Sequence, residues 1–243
     1  MLRSTYLVPA ALAALVFGCG GKSSGATSPG GGGGVAEAQV EPLERTIAGT
    51  EYGEVKVRRP RVTVVGDAAK TAAINAALGT PATSAELTDD GEAGIDYQLG
   101  FNAAGLLDVT IIHETMGAYP DSYGQHFLFD LTTGAQLSGH TLFKPESLPA
   151  LAKAIDDQLQ AEMAKARAEQ SDCVTEDEDP YRGQFTIDNL RDVGVSERGV
   201  VFSYDYDFPH VIQACEPVGE FVWSLPQLDA YLAPSSPLRR IGK

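Results

Sequence analysis

One stretch of the chain has an unmistakable period. Leu148, Leu151, Ile155, Leu159 and Met163 recur every three or four residues, which predicts a helix from about Glu146 to Gln170 with a continuous apolar stripe. Such a stripe must be covered, and the remaining patterned segments are strands. Ile95, Tyr97, Leu99 and Phe101 alternate on one face of Gly94 to Phe101, and Leu106 to Thr115 follows after the turn Asn102-Ala103-Ala104-Gly105. Gly117 to Gly124 reads as a loop and Gln125 to Leu131 as a third strand, closed by Thr132-Thr133-Gly134. Gln184–Leu190, Gly199–Tyr206 and Glu220–Leu225 complete the strands, and Pro226 opens a short helix to Leu232. Upstream, a strand is expected after Pro60, then a helix Ala68–Leu78 capped by Asp67 and stopped by Gly79-Thr80-Pro81. The sum is α+β: an antiparallel sheet with a long helix packed on one face, preceded by a small strand–helix companion subdomain.

The first residues read as an address. Arg3 precedes an apolar run from Tyr6 to Phe17, too short to span a bilayer, and the run ends in Val16-Phe17-Gly18-Cys19. This resembles a bacterial lipobox, with cleavage before Cys19 and lipid carried on its thiol; an ordinary secreted protein cut nearby is the competing reading. Phe17 departs from the small residue usual in the middle of that box. Gly20 to Gly34 is nearly all Gly, Ser, Ala, Thr and Pro, a flexible tether reaching roughly 20 Å. Gly20 stands where an inner-membrane retention signal would place Asp, so the outer membrane is the expected site in a two-membrane bacterium. The organisation expected is a leader over 1–18, a lipidated Cys19 and tether over 19–45, the companion over 46–92, the main domain over 93–234 and a frayed basic tail over 235–243.

Charge narrows the partners. The 243 residues carry 18 Lys+Arg against 33 Asp+Glu, a formal charge of -15, which excludes nucleic acid because nothing would neutralise the phosphates. It invites cationic partners instead. Beyond Cys19 the cysteines are Cys173 and Cys215, and an even pair in an exported protein predicts a disulfide.

Catalytic motifs are missing. His113-Glu114 is not completed to HExxH, no G-x-S-x-G elbow occurs, and Asp205 and Asp207 at i, i+2 are ordinary in so acidic a chain. The run Asp172 to Asp179 lacks the order of an EF-hand and reads as a solvated loop. No catalytic residue, metal ligand or cofactor is therefore expected. The segment Tyr119-Pro120-Asp121-Ser122-Tyr123, with Tyr204, Tyr206, Phe208 and His210, is the candidate binding surface, because Tyr offers rigid area with a polar tip. Packing of the sheet edge is the competing explanation for these rings.

Several short motifs occur in a familiar order: Asn102, Gly105, Leu106 and Leu107; Gly117-Ala118-Tyr119-Pro120-Asp121; Phe129-Asp130-Leu131-Thr132-Thr133-Gly134; Leu142-Phe143; and Gly199 to Tyr204. Pro60-Arg61-Val62 and Ile74-Asn75-Ala76 precede them. Together they resemble the extracytoplasmic domain of unknown function shared by RsiV-type anti-sigma factors and PdaC-type peptidoglycan deacetylases. Tyr119 stands where that family often has His. The resemblance implies a non-catalytic envelope domain that binds peptidoglycan glycan or a cationic protein such as lysozyme. Ligand-binding residues on this reading are Tyr119, Asp121, Tyr123, Tyr204 and Tyr206. A structural or assembly lipoprotein without its own ligand is the alternative, and a cell-wall hydrolase ranks last.

Overall fold

The computed structural model describes residues 37–50, 53–79, 87, 91–117, 120–170, 173–174 and 179–241. Its first sheet has six strands in sequence order: β1 (Ala38–Thr50), β2 (Gly53–Val64), β3 (Glu92–Ala103), β4 (Leu106–Met116), β5 (Pro120–Asp130) and β6 (Ala135–Leu137). Neighbours run antiparallel except β2 and β3, which pair in parallel only at Lys56–Gly94 and Val57–Ile95. A second, three-stranded antiparallel sheet contains β7 (Val193–Ser196), β8 (Gly199–Ser203) and β9 (Glu220–Trp223). The expected leader and Cys19 lie outside the described residues. The tether expected to reach residue 45 does not: residues 38–45 belong to β1, and Asn102 clamps its start through Ala38 N–H and C=O.

Helix α1 (Ala68–Leu78) forms where expected, with the Asp67 carboxylate accepting from Lys70 N–H. Its Ile74 and Leu78 are buried against Val62 and Val64 of β2. Asn75 acts as a surrogate strand residue: Val62 N–H donates to its Oδ1 at 2.9 Å, while its Nδ2 donates to the carbonyls of Val62 and Thr71. The companion elements thus join the main sheet continuously. Arg59 is buried beneath them, donating to Leu78 C=O at the helix C-terminus, and burial lowers its pKa against the opposing field of Glu92.

The start of β4 is buried on both faces because the sheet is covered on both sides there, whereas Glu114 and Met116 near its end are exposed. Leu107, Val109 and Ile111 join α1 and β2 in one core, whereas Leu106 joins the other. That second core collects α2 (Gly139–Leu142), α3 (Leu148–Glu169) and the three-stranded sheet. The α3 stripe is buried as its period requires. The strand alternation from Ile95 to Phe101 does not stay on one face, because a bulge at Gly100 shifts the register between Leu99 and Phe101. Phe101 therefore turns to the second core while Tyr97 packs on the first.

Three other expectations change. Gln184–Leu190 is not a strand; it is irregular and then a 3-10 turn over Asp188–Arg191, with β7 beginning afterwards. The loop expected over 117–124 is already strand from Pro120, since Asp121, Ser122 and Tyr123 pair with Thr115, Glu114 and His113. The tail is not frayed through its length: Leu238 is fully buried and Arg240 pairs with Asp130, whose carboxylate also accepts from Thr132. Burial opposes ionisation of Asp130, but those hydrogen bonds hold its pKa below the ordinary value.

Replacing Asn75 by Ala removes three hydrogen bonds at the α1–β2 junction and should cost about 1–3 kcal/mol. Urea denaturation is expected to show a lower midpoint with an unchanged slope; an unchanged midpoint would contradict this role.

Candidate functional site

Beyond Ser203 the chain leaves β8 and forms an arm, residues 205–219, before returning in β9. Several contacts hold the arm. The expected Cys173–Cys215 disulfide ties it to the segment after α3. Tyr181 OH donates to Cys215 C=O, and Gln213 reaches across to Asp121 Oδ1 of β5 at 3.1 Å. The turn back requires glycine: Gly219 has φ 67°, and a Cβ there would lie 2.2 Å from Tyr204 C=O.

Between this arm and the first half of β5 lies a cleft of about 730 Å³. It brings together Asp121, Tyr123 and Tyr204, three of the five residues expected to bind ligand. Tyr119 lies outside the described residues. Tyr206 points elsewhere: it is buried, donates to Glu162 Oε2 at 2.8 Å, and is raised in pKa by burial and that bond. It supports the arm from below. Tyr204 packs edge-on against Tyr206, and Tyr123 lies flat on His113 with ring centroids 4.7 Å apart. These contacts leave the tyrosines partly engaged as packing groups.

The dominant property of the cleft is charge. Seven carboxylates line it, among them Asp121, Asp192, Asp205, Asp207 and Glu216, and none of its described lining residues is Lys or Arg. Asp205 and Asp207 do not share a strand face, because β8 has ended; Asp207 has φ 52° and donates its N–H to Asp205 Oδ1. Burial raises the pKa of Glu216, and Asp205, Asp121 and Asp207 add to the rise. A nearby cation would relieve that repulsion. Among the described residues no group of three or more His, Cys, Asp or Glu is placed to hold a metal.

Behind the cleft sits a group the motif reading passed over. Asp108 of β4 is buried, and its Oδ2 accepts from Val195 N–H at 2.9 Å, joining the two sheets. Gly100 makes room for it, since a Cβ there would lie 2.3 Å from Asp108 Oδ1. Burial pushes Asp108 up to about 6, against the Val195 hydrogen bond and His126, with Asp192 adding to the rise. Asp192 is itself raised by burial, opposed by His126. His126 and Thr110 share a 3.0 Å contact on the cleft wall. The signal was present: Asp108 is the one acid inside the apolar run Leu106 to Ile112. Its partners are distant in sequence.

The fold defines a class: an α+β domain in which a long six-stranded sheet is covered on one face along its length and on both around the start of β4 and the end of β5, with a smaller sheet beside it. No protein-family model matches the sequence, and none of the curated proteins matches it. Solved structures do. A DUF3298 family member from Bacteroides fragilis NCTC 9343 is similar with a TM-score of 0.56 and 14% identity, covering 86% of this chain and 98% of its own. A DUF3298 family protein from Pseudomonas aeruginosa PAO1 gives 0.51 and 15%, covering 83% and 95%. At these identities the likeness is one of fold.

Asp108 generates a pH dependence. Its folded pKa exceeds the unfolded value of 3.8, so the folded state holds the proton more tightly and stability falls as pH rises from about 4 to about 6. The loss from this group is at most about 3 kcal/mol. Asp108→Asn keeps an acceptor for Val195 and should gain stability on the wild type as pH rises through that window. Urea unfolding at pH 4 and pH 7 measures the difference; a gap independent of pH would contradict the assignment.

Proposed function

We propose that this protein is an extracytoplasmic, lipid-anchored domain that binds a cationic protein of the cell envelope and performs no chemistry on it. The observation that carries the reading is the cleft of seven carboxylates without Lys or Arg among its described lining residues. Electrostatic complementarity of this kind raises association rates and selects partners by sign of charge. The disulfide across residues 173 and 215 supports an oxidising compartment, and the lipobox-like Val16 to Cys19 supports a lipid anchor in the outer membrane. Among the described residues no helix is long and apolar enough to cross a membrane. The resemblance to the RsiV/PdaC-type domain supports the same reading, since lysozyme is a cationic protein that such a relative recognises.

Peptidoglycan glycan is the less favoured ligand. Sugar recognition would use several open aromatic faces, whereas Tyr206 is buried, Tyr204 packs edge-on against it, and Tyr123, though 44% exposed, has one face covered by His113.

The two ligands separate by salt. Binding to lysozyme, used as a basic probe, should weaken as ionic strength rises, because exposed charges are screened beyond about 8 Å at physiological salt. The pair Asp121→Asn and Glu216→Gln keeps the local acceptors and should weaken that binding about tenfold, ~1.4 kcal/mol. Retention on peptidoglycan sacculi that survives high salt, without lysozyme binding, would overturn the proposal in favour of glycan.

A further inference from the structure

Among the described residues, the wall that β5 presents to this cleft is an open sheet edge. Leu131 N–H donates to Gly105 C=O at 2.9 Å, and these residues continue the direct β4–β5 pairing. In an antiparallel pair such bonds fall on alternate residues. Odd-numbered residues of β5 therefore face β4, and Ser122, Gly124 and His126 turn their backbone groups the other way. On that side β6 pairs only with Leu128 to Asp130, and among the described residues no strand covers 122–126. All three of these residues line the cleft. Ser122 N–H is taken by Asp121 Oδ1. Among the described residues, the groups left to pair are Ser122 C=O and both backbone groups of Gly124 and of His126. Gly124 adds no side chain at the middle of this row.

We propose that the cleft binds its cationic partner by strand addition: an extended, lysine- or arginine-bearing segment pairs with the β5 edge at Ser122, Gly124 and His126 while its side chains meet the surrounding carboxylates. The proposal rests on the reading of the cleft as a cation-binding site and states the form of the ligand. Main-chain pairing holds an extended peptide irrespective of its sequence, and side-chain pockets choose among sequences. Successive side chains of an added strand point to opposite sides, and carboxylates line the cleft from two segments: Asp188 and Asp192 from one, Asp205, Asp207 and Glu216 from the arm. Open edges are aggregation hazards that proteins normally shield. Here the arm, pinned by Gln213 to Asp121, roofs the edge and surrounds it with negative charge, which excludes a second copy of this acidic chain and admits a basic one.

The test is amide hydrogen exchange of the protein, read residue by residue, with and without a seven-residue peptide alternating valine and lysine. Strand addition predicts binding, with exchange at Gly124 and His126 slowed about tenfold or more. Methylating two consecutive central amides of the peptide removes a donor from each of its edges and should weaken binding about tenfold. Gly124→Pro removes an edge donor without touching the β4 ladder and should do the same. Binding of both peptides equally, with exchange at Gly124 and His126 unchanged, overturns strand addition and leaves the cation-binding reading intact. No binding of either peptide overturns strand addition and the reading beneath it.

Discussion

The structure depends on the first four residues of β4 being buried on both faces. A strand in that position cannot carry a free charge, yet Asp108 lies in it. The charge is accommodated by the bulge at Gly100, which vacates the space over the carboxylate, and by Val195 N–H, which donates to it from β7. One acid thereby fixes where the small sheet sits against the large one. The line of contact between the sheets is also where the cleft opens, so the same contact positions His126 and Asp192 on its wall. Architecture and candidate site share a single polar junction.

The cleft is assembled from segments that have no reason to be neighbours in sequence. β5 contributes an edge, the segment from Asp188 to Asp192 contributes two acids, and the arm contributes three more. The disulfide holds the arm in place by closing a span of 42 residues, and Tyr181, Tyr206 and Phe208 pack beneath it. In the loop-entropy view such a closure contributes about 4 kcal/mol by constraining the unfolded chain. Part of that restraint maintains crowded carboxylates: Glu216 is raised first by burial, and Asp205, Asp121 and Asp207 add to the rise. A site that stores repulsion between like charges is poised for a ligand of opposite sign.

Periodicity made the helices legible. The stripe of α3 and the Asp67 cap of α1 are local signals, and both elements form where the pattern places them. The strands were legible in existence and less so in extent. A bulge at Gly100 converts one apparent face into two, and nothing local in Gly94 to Phe101 announces it. The start of β5 looked like a loop because Pro120-Asp121-Ser122 are turn formers, but β4 supplies a template that overrides their preference. Asp121, Tyr123 and Tyr204 were identified from composition alone and do converge. Tyr206 was indistinguishable from Tyr204 in the sequence, and only the core decides which of two alternating tyrosines faces inward. Asp108, Asp192 and Glu216 were invisible as a group because their meeting is a tertiary event.

On the proposed function, the partner's cations meet this cleft. Carbodiimide cross-linking of the protein to partners in intact envelopes, with the linked residues read by mass spectrometry, tests it most directly. Amide links from Asp121, Asp205, Asp207 or Glu216 to lysines of another protein are expected. Links confined to the exposed acids of α3, such as Asp157 and Glu169, would contradict it.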